Sequence, residues 1–225
     1  MAKTLEEKDA ARQKVRELAA QFAERGDQLG WFDAVYKEGN LDSIPWADLE
    51  PNRFFKQWAE DRDLKGGGRR ALVVGCGLGD DAKYLYDLGF EVTAFDISPT
   101  AIEWAKRLHH QINIQFEAAD LFQPSHGWLR AFDFVLEIYT IQPLPMEMRS
   151  NAINNVAKFV APGGELVVVC RGRENGEEVG QIPYPLSKED LSSFQADGLV
   201  QIEFNEVKDD VDDERRFVVH YRRPE

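Results

Sequence analysis

The sequence predicts an α/β fold built on a doubly wound, mostly parallel β-sheet. Two observations carry that expectation. From about residue 71 onward, short apolar runs alternate with helical stretches, and strands that alternate with helices pair in parallel with helices on both faces. The first such run leads directly into Val74-Gly75-Cys76-Gly77-Leu78-Gly79-Asp80-Asp81, a glycine-rich turn that opens a helix.

Ahead of the sheet, residues 4–25 place Val15, Leu18, Ala19 and Phe22 on one helical stripe among charges. A loop rich in Trp, Gly and Pro is expected from Gly26 to Trp46, then a second helix from about Ala47 to Ala59 presenting Phe54, Phe55 and Trp58. Lys65-Gly66-Gly67-Gly68 marks a joint. Residues 1–62 therefore read as an N-terminal helical cap without an independent core, and 63–225 as the main domain. In that domain, strands are expected at Ala71–Val74, Glu91–Phe95, Ile112–Phe116, Phe132–Ile138 and Leu166–Cys170. Helices are expected at Asp80–Leu88, after the Ser98-Pro99 cap, and at Met146–Val160, the last ended by Pro162-Gly163-Gly164. Ser187 with Asp190 forms a capping box for a helix closing at Gly198. Leu199–Phe204 and Arg216–Tyr221 should pair as a hairpin whose acidic tip, Asp209 to Glu214, is exposed.

The bulk numbers narrow the partners. Lys and Arg number 27 against 40 Asp and Glu, a formal charge of −13, which disfavours nucleic acid or an anionic membrane as partner. Two cysteines, Cys76 and Cys170, make no disulfide framework. There is no span-length apolar run, and the charged first residues lack a secretion signal. A soluble, cytoplasmic protein is expected. No His, Cys or carboxylate cluster has metal-ligand spacing.

The glycine turn lets a ligand approach the main chain, and the helix behind it offers exposed amides. Gly75, Gly77 and Gly79 follow G-x-G-x-G, whereas dinucleotide folds favour G-x-G-x-x-G. Asp80 stands where the third glycine of that pattern would lie and would repel a pyrophosphate. Asp96 ends the second strand, placed to accept hydrogen bonds from both hydroxyls of a ribose. Asp120, after the third strand, is placed to receive an adenine amino group. Each acid also has a plain alternative as a helix or turn cap. Their convergence at strand ends points to an adenosyl-nucleoside site.

With VVGCGLGDD, Asp96 followed by ISPTAIEWA, AADLF, FDFVLEIYTIQPLP and VAPGGELVVV in view, the chain resembles the class I S-adenosylmethionine-dependent methyltransferases. The resemblance covers roughly Leu72 to Cys170. It implies a Rossmann-like seven-stranded sheet with an antiparallel last strand, and S-adenosyl-L-methionine as cofactor. The implied cofactor contacts are Gly75, Cys76, Gly77, Gly79, Asp96, Ile97, Ser98, Asp120, Leu121 and Glu137, with Trp31, Tyr36 and Trp46 as candidate lid residues. A narrower likeness is to the thiopurine and halide/thiol methyltransferase branch. It rests on Trp31-Phe32-Asp33-Ala34-Val35-Tyr36, Ile44-Pro45-Trp46, the nonpolar Val73 and the loop Ile182-Pro183-Tyr184-Pro185. That branch often carries Asp-Arg after the fourth strand, where this chain reads Glu137-Ile138.

Tyr36, Tyr139 and Tyr184 are the candidates for the acceptor side, and Glu137 is the candidate base. The expected activity is methyl transfer to a small-molecule acceptor, with sulfur favoured and oxygen or nitrogen open. An NAD(P)-dependent reductase, a nucleoside-binding protein without turnover, and a protein methyltransferase are the competing readings. The acceptor and the oligomeric state are left open.

Overall fold

The computed structural model describes residues 5–39, 41 and 44–225, with Leu5, Glu6 and Lys8 described by backbone alone. Residues 1–4, 40, 42 and 43 lie outside the described residues, and with them the start of the first expected helix and part of the expected Gly26–Trp46 loop. Seven strands form one sheet: β1 (Arg70–Val74), β2 (Glu91–Asp96), β3 (Gln115–Ala118), β4 (Phe132–Ile138), β5 (Val160–Arg171), β6 (Val200–Lys208) and β7 (Arg215–Arg222). Their order is β3-β2-β1-β4-β5-β7-β6. β1 to β5 are mutually parallel, whereas β7 runs antiparallel to both β5 and β6. The sheet is therefore doubly wound and mostly parallel, with the antiparallel last strand that the resemblance implied.

Seven helices accompany it among the described residues: α1 (Leu5–Glu24), α2 (Gly30–Glu38), α3 (Arg53–Asp61), α4 (Asp80–Asp87), α5 (Pro99–Leu108), α6 (Met146–Phe159) and α7 (Lys188–Ser192). Strand residues alternate sides, so the two faces bury different sets. One face packs Leu72, Val74, Val135 and Val168 against α6 and α7 through Ile153, Val156 and Leu191. The other packs Val73, Phe134 and Leu136 against α3, α4 and α5 through Phe55, Trp58, Leu85 and Ile102. α3 thus contributes to the main core. The rest of the cap, α1 and α2, packs Val15, Ala19, Trp31 and Tyr36 onto Leu78 and Ala101.

Several expectations need correction. The loop from Gly26 to Trp46 contains α2, nucleated where Asp27 Oδ1 accepts from the amides of Leu29 (3.1 Å) and Gly30 (2.7 Å). The helix expected from Ala47 begins at Arg53, because the Asn52 side chain caps the amides of Phe54 and Phe55. β3 lies later than Ile112–Phe116: Ile112–Ile114 turn on themselves, and Gln115–Ala118 pair with Thr93–Asp96. Pro162-Gly163-Gly164 do not end α6 but sit in a bulge at the start of β5, where the pairing steps from Phe132–Val160 to Phe134–Glu165. The acidic hairpin tip is partly buried. Asp209 is 6% exposed, and Arg216 pairs with Asp209 (3.2 Å) and Asp212 (2.6 Å). No helix among the described residues is long and apolar enough to cross a membrane.

Candidate active site

The sheet order reverses between β1 and β4, the point at which open α/β sheets form a crevice outside their carboxyl ends. The glycine turn sits there. Gly75, Gly77 and Gly79 all adopt left-handed backbone, φ 60°, 52° and 86°. At Gly75 a Cβ would also collide with the Thr140 side chain, and at Gly77 it would meet the Tyr36 hydroxyl at 3.1 Å. Both positions demand glycine on conformation as well as space.

Asp96 braces this turn. Its carboxylate accepts from the amides of Gly77 and Ser98, each at 2.9 Å. Burial raises its pKa against those amide hydrogen bonds, with Asp33 adding repulsion. The Cys76 amide bonds to the Phe95 carbonyl at 2.8 Å, and burial beside Asp96 pushes the half-buried Cys76 thiol well up. Ser98 is buried, caps α5 through Ala101, and Ile97 beside it is half-buried.

The cap closes over this turn. Tyr36 is buried, and its hydroxyl accepts from Trp46 Nε1 at 2.8 Å. Trp46 is itself 41% exposed, whereas Trp31 is buried and stacks on Phe32. Tyr36 therefore lies over the glycine turn, the position of a lid residue, and does not line the cavity described below. Asp33, which sequence reasoning did not single out, clasps α2 to α5. Its Oδ1 accepts from Ser98 Oγ (2.7 Å) and the Thr100 amide (3.1 Å), and its Oδ2 pairs with Lys37 (2.6 Å). Burial opposes its charge, but these bonds outweigh it and hold the pKa at about 2. The only signal in the sequence was an acid one turn before Lys37 on a Trp-rich stretch.

The two acids that open α4 are different. Burial, with Asp48 nearby, raises Asp80 to about 6. Burial raises Asp81 to about 7 although the Asn52 amide donates to it at 2.7 Å. Asp120 lies two residues past β3, and its carboxylate accepts from the Phe122 amide (2.8 Å) and Gln123 Nε2 (3.2 Å). The Leu121 side chain belongs to the core, while its carbonyl accepts from Asn155.

Glu137 aligns with Val74 and Val168 across the sheet and is fully buried. Its Oε1 accepts from the amides of Thr140 (2.7 Å) and Ile141 (3.0 Å), and its Oε2 is buried without a partner. Burial raises it to about 7 against those two hydrogen bonds. It therefore faces the turn after β4 rather than an open crevice. Thr140 in turn sits against Gly75 and donates to the Val74 carbonyl at 2.9 Å.

A cavity of about 430 Å³ lies between α1 and the loops that follow β4 and β5. Trp31, Pro143, Pro145, Ile182 and Tyr184 form its apolar wall, and Arg16 lies on the α1 side. Of the three tyrosines expected toward an acceptor, only Tyr184 lines it. Tyr139 has φ 57° and is half-buried, its phenol near Asn52 and Arg216. None of the glycine-turn residues lines the cavity; the buried Trp31 belongs both to its wall and to the cap core that includes Leu78.

Residues 71–164 match a protein-family profile described as a methyltransferase domain. The matched segment runs from β1 to the bulge that opens β5, so it holds the glycine turn, Asp96, Asp120 and Glu137. The chain is 25% identical over 150 residues to a 2-heptyl-1-hydroxyquinolin-4(1H)-one methyltransferase of Mycobacteroides abscessus, covering 65% of this chain and 64% of that protein. It is 26% identical over 181 residues to a probable thiol methyltransferase 2 of Arabidopsis thaliana, covering 78% and 75%. The chain thus spans just under two thirds of the length of the mycobacterial relative. Among solved structures, the N-methyltransferase NodS from Bradyrhizobium japonicum in complex with S-adenosylhomocysteine superposes with a TM-score of 0.64 at 23% identity, over 80% of this chain and 92% of that one. The chain thus shares the Rossmann-like α/β fold of that structure.

Proposed function

We propose that the protein is an S-adenosylmethionine-dependent methyltransferase acting on a small-molecule acceptor. One observation carries the reading: Asp96 joins the glycine turn to the start of α5 in a crevice that Tyr36 and Trp46 cover. The residues fit an adenosyl donor. A carboxylate offers about four lone-pair positions, and the amides of Gly77 and Ser98 leave some of them to ribose hydroxyls. Ile97, Leu121 and Asp120 are the candidates to flank the adenine, and the amides of Cys76 and Gly79 border the turn. When bound, the donor supplies a methyl group already activated on a sulfonium. The protein's share is then to hold the acceptor heteroatom in line and to keep water out, and positioning of this kind contributes about 7–11 kcal/mol.

For the acceptor we favour sulfur, as in the thiopurine and halide/thiol branch, over oxygen or nitrogen. The half-buried Tyr184 on the cavity wall and the thiol methyltransferase relative support that choice. So does the position of Glu137, whose carboxylate is turned under the backbone and is poorly placed to deprotonate an alcohol. A thiol ionises near neutrality and needs less help. Calorimetry tests the cofactor reading. S-adenosylmethionine and S-adenosylhomocysteine should bind and NAD should not, and Asp96→Ala should weaken binding by about 1.5–3 kcal/mol. Tighter binding of NAD would overturn the proposal.

A further inference from the structure

The 430 Å³ cavity is flanked by two arginines that form no ion pair among the described residues, in a protein whose formal charge is −13. Two arginines hold the loops that line it, and both do so through carbonyl groups. On the α1 side, Arg16 Nε donates to the Ile182 carbonyl at 2.8 Å. Its two terminal nitrogens make no hydrogen bond or ion pair among the described residues. Behind the opposite wall, Arg149 of α6 is 3% exposed. It donates to the carbonyls of Leu144 (3.3 Å), Gln142 (3.4 Å) and Tyr184 (3.3 Å), and lies 5.3 Å from the centre of the Tyr184 ring. Its Nη1 is buried without any partner.

Buried charges are ordinarily paired, because an unpaired one loses its hydration without compensation. Asp190 is the acid whose field reaches Arg149, but it already pairs with Arg173 at 2.9 Å. On the cavity side the one acid in the lining is Glu17, which is exposed and accepts from Gln13 at 3.0 Å. Against that single solvated carboxylate stand one free guanidinium edge and one buried, unneutralised guanidinium. Gln13, Gln28 and Gln181 add neutral polar groups to the lining, and the part of the wall made by Trp31, Tyr184, Ile182 and two prolines suits a flat apolar body.

We propose that this cavity binds a planar aromatic ligand carrying an anionic group, and that the methyl acceptor enters it in that charged form. The ligand's role as acceptor rests on the methyltransferase reading; the charge preference of the cavity does not. Arg16 faces the anion, and Arg149 biases the site through the Tyr184 wall as a positioning residue.

Calorimetry on the full chain with saturating S-adenosylhomocysteine tests this, using 2-naphthoate, its neutral isostere 2-naphthamide and the cation 1-naphthylmethylammonium as probes. Naphthoate should bind about tenfold or more tighter than the amide, and the cation more weakly than either. Arg16→Met should cut the naphthoate preference to about threefold or less while leaving S-adenosylhomocysteine affinity unchanged. Arg149→Met should also reduce it, and Arg149→Lys, which keeps the charge, should restore most of it. Equal binding of acid and amide, preference for the cation, no probe binding at all, or an unchanged ratio in Arg16→Met would each overturn the inference. Were S-adenosylhomocysteine not to bind while naphthoate discrimination survived, the methyltransferase reading would fall and the cavity assignment would stand.

Discussion

Burial of the Glu137 carboxylate beneath the Thr140–Ile141 turn makes its charge a burden on the folded state. Its pKa rises from 4.5 to about 7, so its folded form holds a proton that the unfolded chain releases. A group raised in this way favours folding most below its unfolded pKa, and that advantage is lost as pH climbs from about 4.5 through 7. At one pKa unit per 1.36 kcal/mol, the loss is on the order of 3 kcal/mol. Asp81, raised from 3.8 to about 7, acts in the same direction. Glu137→Gln keeps an oxygen for the Thr140 and Ile141 amides but cannot ionise. Thermal unfolding followed from pH 5 to pH 8 should therefore show a flatter decline in the variant than in the parent, and identical slopes would mean that Glu137 is not the buried titrating group. Because Thr140 packs on Gly75, the same substitution should raise the apparent KM for S-adenosylmethionine more than it lowers kcat. A fall in kcat above about a hundredfold would instead make Glu137 a proton acceptor.

The clasp between α2 and α5 is the smallest unit that links the cap to the glycine turn. Asp33 bonds to Ser98 and Thr100 at the start of α5, two residues beyond Asp96, so a shift of α2 is felt where the ribose would be held. Asp33→Ala should cost about 1.5–3 kcal/mol in stability, the range for hydrogen bonds to a charged group, and should speed amide hydrogen exchange in α2 while leaving β1 and β4 protected. Exchange unchanged in α2 would show that its apolar contacts alone hold it. Elements with strong periodicity or explicit caps were legible in advance: β1, β2, β4, α4, the Ser98-Pro99 start of α5 and the Ser187–Asp190 box all lie where the sequence places them. α2 was not, since it holds only nine residues, beginning at Gly30 and ending before Gly39, and its stop and start signals read as a loop. The burial of Asp209 and Asp212 was illegible for a different reason. Two of their arginine partners, Arg53 and Arg171, come from distant segments, and Arg216 lies just past the run, so a run of acids viewed alone resembles a solvated turn. The cavity escaped notice on the same ground, because Arg16 and Arg149 meet the post-β4 and post-β5 loops only after folding.

In the whole molecule the cap must do two opposed things. Tyr36 and Trp46 lie over the glycine turn, so a ligand bound there is shielded, yet the same contacts stand in its path of entry. α1 and α2 bury a modest apolar set against Leu78 and Ala101, whereas α3 is rooted in the main core through Phe55 and Trp58. The segment between α1 and α3 is held by this smaller cluster rather than by the main core, and we expect it to open as a unit while α3 stays docked. Limited proteolysis reads that opening. In the free protein, cuts should concentrate between Gly26 and Trp46. If cleavage needs the open cap and S-adenosylhomocysteine binds only the closed one, the cutting rate falls by the factor one plus ligand concentration over Kd. At a hundredfold excess over Kd that is about a hundredfold, equivalent to about 2.7 kcal/mol of added protection. Protection confined to Gly26–Trp46 would distinguish cap closure from general stabilisation, which would slow cutting everywhere at once. Equal rates with and without ligand would mean that cofactor occupancy and cap closure are independent, and that Tyr36 shields the turn without gating it.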